Sequence, residues 1–112
     1  MGNDKLIGGG GNDKLSAGAG DDRLFGGAGA DIMNGNNGND LIVGGTGNDA
    51  IRGGAGDDVI LGGIGNDNLF GDAGSDTISG GVGRDKMAGD GGADTFVFGD
   101  GDGADLVRDF NV

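Results

Sequence analysis

An apolar residue returns at every ninth position of this chain: Leu6, Leu15, Leu24, Met33, Ile42, Ile51, Ile60, Leu69, Ile78, Met87 and Phe96. Two residues before each stands an aspartate, from Asp4 to Asp94. Two residues before each aspartate stands a glycine, from Gly2 to Gly92. Three columns that stay in phase over eleven copies mark a repeat architecture rather than a low-complexity tract. The clearest copy is Gly53-Gly54-Ala55-Gly56-Asp57-Asp58-Val59-Ile60-Leu61, which sets the positions one to nine used below.

Within each copy, positions one to six read as a glycine-rich turn and positions seven to nine as a short strand. A strand alternates its side chains between two faces, so only the eighth residue faces inward. Strands of three residues must stack on neighbours to persist. The pattern predicts a solenoid in which one coil takes two nonapeptides, two turns and two strands. Residues 18 apart then lie one above the other, and the aspartates fall into two columns on opposite edges.

Composition sharpens this picture. Of 112 residues, 32 are glycine, and proline, cysteine and histidine are absent. Collagen would need glycine at every third place and much proline, so it is excluded. All 19 acidic residues are aspartate, against 7 basic ones, for a net charge of −12. A nucleic-acid partner would need the opposite balance. Short carboxylates at fixed reach from the backbone suit a hard cation such as Ca²⁺, whereas zinc and copper prefer the missing histidine and cysteine. No apolar run is long enough to span a membrane, and no cleavable signal peptide opens the chain. The array starts within a repeat, so the sequence reads as a segment of a longer chain.

The pattern Gly-Gly-x-Gly-x-Asp-x-apolar-x resembles the nonapeptide of RTX (repeats-in-toxin) proteins, the hemolysin-type calcium-binding repeats. The resemblance covers nearly the whole chain. It implies an all-β fold, a right-handed parallel β-roll (β-solenoid) with two nonapeptides per coil. It implies Ca²⁺ between turns stacked on the same edge, held by aspartate side chains and turn carbonyls. One edge then carries Asp4, Asp22, Asp40, Asp58, Asp76 and Asp94, and the other Asp13, Asp31, Asp49, Asp67 and Asp85. The carbonyls include those of Gly9, Gly11, Gly18, Gly20, Gly27, Gly29, Gly38, Gly45, Gly47, Gly54, Gly56, Gly63, Gly65, Gly74, Gly81 and Gly83. Each pair of neighbouring aspartates in a column brackets one ion, about nine in all, with Asp105 closing a tenth against Asp85. The resemblance also implies a secreted parent protein, a protease, lipase, epimerase or toxin, exported unfolded by type I secretion.

The tail leaves the period. Asp105 follows Asp94 by eleven residues rather than nine, which reads as a two-residue insertion before a twelfth, modified repeat. The array is therefore expected over residues 1–98 and a modified repeat with an aromatic cap over 99–112. Asn36, Asp72 and Asp90 replace glycine at position two, where Asn and Asp tolerate left-handed backbone better than other residues. Asp72 and Asp90 read as surface charge, with added ligands as the second reading.

Outward positions differ between the two sheets. One stacks Ile7, Phe25, Val43, Leu61, Ser79 and Val97, joined by Leu41 and Val59. The other shows mostly polar residues, among them Lys14, Ser16, Asn34, Arg52, Asn68 and Lys86. The apolar face is expected to meet a partner domain or a second copy through Phe25, Val43 and Leu61.

Other functions find little footing. With no histidine or cysteine and no base placed beside Ser16, Ser75 or Ser79, the segment is expected to be non-catalytic. Asp100-Gly101-Asp102-Gly103-Ala104-Asp105 lacks the closing glutamate of an EF-hand. No Gly-Lys-Ser/Thr follows the glycines, so there is no phosphate loop. Adhesion or ice and surface binding through the outer face is the alternative function. One apolar side chain per nonapeptide is a small core for a chain whose glycines lose the most freedom on ordering. The fold is therefore expected to depend on its ions.

Overall fold

The computed structural model describes residues 2–97 and the backbone of 106–108. It is an all-β parallel solenoid of about five coils. Twelve strands alternate between two sheets: β1 (Lys5–Gly10), β2 (Lys14–Ser16), β3 (Arg23–Ala28), β4 (Ile32–Asn34), β5 (Leu41–Thr46), β6 (Ala50–Arg52), β7 (Val59–Ile64), β8 (Asn68–Phe70), β9 (Thr77–Val82), β10 (Lys86–Ala88), β11 (Thr95–Val97) and β12 (Leu106–Arg108). Odd-numbered strands form one six-stranded sheet and even-numbered strands the other, each in the order in which the chain visits it.

Register fixes the coil at 18 residues. Ile42 pairs with Ile60 and Ile60 with Ile78 on one sheet, and Met33 with Ile51 and Ile51 with Leu69 on the other. The last step differs: Lys86 pairs with Leu106, 20 residues on, so the two-residue insertion lies between β11 and β12 and leaves the pairing intact. Asp100, Asp102, Asp105, Asp109 and Phe110 lie outside the described residues, and with them the tenth-site and aromatic-cap expectations.

The eighth-position residues face one another between the sheets. Leu24, Met33, Ile42, Ile51, Ile60, Leu69, Ile78 and Met87 are fully buried. Leu6, Leu15 and Phe96 pack against this column from the two ends and stay half-buried. The core is one side chain wide, so every coil needs the coils on either side to cover it.

The two sheets are not alike. Three-residue strands occur on the even sheet, as the pattern predicts, but β1, β3, β5, β7 and β9 run for six residues, through position three of the next nonapeptide. Position two after these strands is always glycine, from Gly9 to Gly81. On the other edge the matching stretch makes only the isolated bridges Ala19 to Asn37 and Asn37 to Ala55. There Asn36, Asp72 and Asp90 hold φ between 63° and 69°. The Asn36 N–H bonds locally to Asn34 Oδ1 at 3.0 Å, while its Nδ2 reaches Ser16 Oγ in the coil before at 2.8 Å. A short-range bond such as the first competes with a ladder.

Because Ile60 is fully buried and Leu61 is 38% exposed, the two neighbours should respond differently to truncation. Ile60→Ala is expected to cost about 2–5 kcal/mol. Leu61→Ala is expected to cost under about 1 kcal/mol. Denaturant unfolding in saturating Ca²⁺ measures both, and equal losses would contradict the inward-outward assignment.

Candidate metal centres

Each interior sixth-position aspartate, from Asp22 to Asp76, is tied to its column by three bonds. Its N–H donates to the carboxylate of the aspartate one coil on, as Asp22 to Asp40 Oδ1, Asp40 to Asp58 Oδ1 and Asp58 to Asp76 Oδ1, each at 2.8 Å. The second edge repeats this from Asp13 to Asp31 and Asp31 to Asp49 at 2.8 Å, then Asp49 to Asp67 at 2.7 Å and Asp67 to Asp85 at 2.9 Å. Its carbonyl accepts the N–H of position seven one coil on, as Leu41 to Asp22 at 2.9 Å and Asn68 to Asp49 at 2.8 Å. Its own Oδ1 accepts from the coil before. Aspartate fits this role because its carboxylate reaches one inter-strand spacing and no further.

The second carboxylate oxygen is left over. Oδ2 of Asp13, Asp22, Asp31, Asp40, Asp49, Asp58, Asp67, Asp76, Asp85 and Asp94 is buried without a hydrogen-bond partner. Asp22 to Asp85 are only 1–2% exposed, Asp13 and Asp94 are half-buried, and Asp4, in the first coil, is exposed. A buried carboxylate oxygen with no donor costs free energy unless a cation meets it.

The surroundings suit a hard cation. A Cβ built on Gly53 would lie 2.5 Å from Asp58 Oδ2 and 2.9 Å from the Gly71 carbonyl. At Gly26 the same two distances are 2.5 Å to Asp31 Oδ2 and 2.6 Å to the Gly44 carbonyl. Position-one glycine thus keeps open a cradle where a carboxylate oxygen and a carbonyl from the next coil converge. The position-two and position-four carbonyls, such as Gly9, Gly11, Gly20 and Gly38, point along the stack at the Cα of the glycine one coil on. The Gly18 carbonyl also accepts the Asn37 N–H at 3.2 Å. Among the described residues no three acidic side chains cluster as a ready-made ligand set. Any ion between turns would therefore draw on carboxylates of the column and on backbone oxygens, which is an all-oxygen set.

Two features lay outside the sequence reading. The first is the position-one carbonyl, as at Gly44 and Gly71, which faces the orphaned Oδ2. The second is a ladder at position five, on the outer side of the turns. Asn3 Oδ1 accepts the Asp21 N–H at 3.0 Å, Asp21 Oδ1 that of Asn39, Asn39 Oδ1 that of Asp57, and Asp57 Oδ1 that of Ser75, the last three at 2.8 Å. On the second edge Asn12 takes the Ala30 N–H, Asn48 that of Asn66, and Asn66 that of Arg84. The frequent Asn and Asp at position five was the available signal. Asp72 pairs with Arg52 at 3.2 Å.

Without a cation the columns resist ionisation. Burial pushes Asp58 up to about 6, and Asp67 and Asp76 up to about 7; Asp40 and Asp49 are also raised. Removal from water is the main cause. The N–H donated by the aspartate one coil back offsets part of it, and that neighbour's negative charge adds to it.

The RTX calcium-binding nonapeptide repeat matches the chain in four copies, over residues 1–33, 34–69, 61–96 and 70–107. Among curated proteins, none matches. The repeat matches span most of the chain, and their period is the period of the aspartate columns. The chain belongs to the RTX calcium-binding nonapeptide repeat family, as a calcium-binding β-roll module.

The raised carboxyls set a pH dependence for the metal-free protein. Their folded pKa lies above the unfolded value of about 3.9, so the folded state holds more protons. That contribution to stability is complete below about pH 4 and is lost as pH rises through about 6 to 7. Circular dichroism of metal-stripped protein is expected to show strand content that rises as pH falls from 8 to 4. With Ca²⁺ the sign reverses, because ligand carboxylates must be deprotonated, and the calcium midpoint should fall as pH rises.

Proposed function

We propose that the chain is a calcium-folded module of a larger secreted protein. It would leave the cell unfolded by a type I route and fold outside on meeting Ca²⁺. The observation that carries this reading is the run of ten buried Oδ2 atoms with no partner, one per turn from Asp13 to Asp94. Asp4 and Asp105, the latter outside the described residues, would serve as further ligands, with turn carbonyls completing each shell. About nine or ten Ca²⁺ ions would then more than offset the −12 charge of the chain. Ions that bind only the folded state add directly to its stability. Where free Ca²⁺ is scarce the columns repel and the thin core is insufficient; where it is plentiful the coils close. The module's work is this switch and the rigid spacing it creates, so we infer no catalytic role.

A second reading is supported by the odd sheet, whose outer face exposes Val59, Leu61 and Val97 at 38–44% and Ile7 at 65%. It acts as a contact surface for a partner domain or a second copy. Ice or surface binding draws no such support, since the exposed third-position column is a mixture of Gly10, Ala28, Thr46, Ile64 and Val82.

Circular dichroism during Ca²⁺ titration at neutral pH tests the main reading. A steep coil-to-strand transition is expected with Ca²⁺. Mg²⁺, which demands near-octahedral geometry and sheds water reluctantly, should not reproduce it. A chain already folded in chelator would sink the proposal. Asp58→Asn and Asp67→Asn should each shift the midpoint to higher Ca²⁺, because each removes a charge from a site between two coils.

A further inference from the structure

The two edges of the roll carry unequal charge. On the first edge, aspartate occupies position six in every coil, position five at Asp21 and Asp57, and position two at Asp72 and Asp90. On the second edge aspartate occurs at position six alone, and position five carries Arg84 and no acid. Asp72 is engaged by Arg52 at 3.2 Å. The acidic surplus at position five of this edge is Asp21 and Asp57.

Their hydrogen bonding does not require charge. Asp57 Oδ1 accepts one N–H at 2.8 Å, and Asn39, in the same row, accepts one at the same distance. An amide oxygen and a carboxylate oxygen hold the turn equally well, so what Asp57 adds over asparagine is a negative charge. That charge sits one residue from Asp58, in the turn whose Oδ2 is orphaned. A groove of about 500 Å³ runs along this edge, lined by Asp21, Asn39 and Asp57 together with Asp22 and Asp40. Lys5 and Arg23 line its N-terminal part, while beside Asp57 the lining is Leu41 and Val59. The position-seven residue of the Asp21 turn is thus a cation, Arg23, and that of the Asp57 turn is apolar, Val59.

The geometry points to Asp57, and more weakly Asp21, as residues that set the calcium threshold of the first edge without ligating the ion. This rests on the calcium-folded reading. An added negative charge within one residue of a divalent site raises the local concentration of cations and favours the bound state through space. The edges then form two classes of site. The first-edge column is more repulsive when empty and tighter when filled; the second-edge column depends less on ions.

The test uses two variants that keep the ladder oxygen, Asp57→Asn and Asn39→Asp, with Asp21→Asn as a graded comparison. Ca²⁺ titrations followed by circular dichroism are run at low and at high ionic strength. At low salt Asp57→Asn is expected to raise the midpoint roughly threefold or more, and Asn39→Asp to lower it by a similar factor. Asp21→Asn should shift it less than Asp57→Asn. At high salt the differences should shrink, since exposed charges are screened. A midpoint that is unchanged, or that moves the opposite way, overturns the inference while the wild type still folds with Ca²⁺. A wild type with no Ca²⁺-dependent transition overturns the underlying reading instead. If Asp57→Asn fails to fold at saturating Ca²⁺, the direction of the Asn39→Asp shift decides.

Discussion

Everything in this molecule hangs on a carboxylate with one satisfied oxygen and one unsatisfied oxygen. From Asp22 onward, Oδ1 of the sixth-position aspartates closes a hydrogen bond to the coil before it, and that bond fixes coil spacing. Oδ2 is carried into the interior by the same geometry and has no protein donor. A longer side chain would reach past the neighbouring turn, and an amide would lose the charge. The use of aspartate, never glutamate, at position six follows from this one distance.

The same constraint supports the proposed dependence of the fold on an outside component. A core one residue wide buries little, and glycine-rich turns lose much freedom on ordering. Stacking like charges in a column adds a further cost, visible in the upward shifts at Asp58, Asp67 and Asp76. On the proposed reading metal ions would convert that cost into a gain, each lying between two coils and shared by both, so that binding and folding become one process.

Much of this was legible in the sequence. The inward column from Leu24 to Met87 and the 18-residue register follow from the strict period alone, because a period of two on short strands leaves one inward position. The insertion before β12 was visible as a slipped aspartate, and the structure takes it up as a pairing offset of 20 residues. The unequal strand lengths were not legible. They depend on whether positions one to three keep their ladder, which is decided by local bonds such as Asn36 to Asn34. Nor was the ladder at position five. Its residues vary among Asn, Asp, Ala, Ser and Arg, so the column fails as a consensus even though its oxygens act alike where present. The convergence of Gly71 O and Asp58 Oδ2 over Gly53 was equally hidden, since a carbonyl's direction leaves no mark on residue identity.

The difference between the sheets has a mechanical side. From β1 to β9 the odd sheet joins successive coils over six-residue strands, whereas the even sheet joins them over three. A load along the solenoid axis is therefore shared unevenly across the cross-section. The short-strand side yields first and the long-strand side serves as the hinge, so the rod bends open in one preferred direction rather than parting squarely. Stiffness in such a rod is a property of direction, written by which edge keeps glycine at position two.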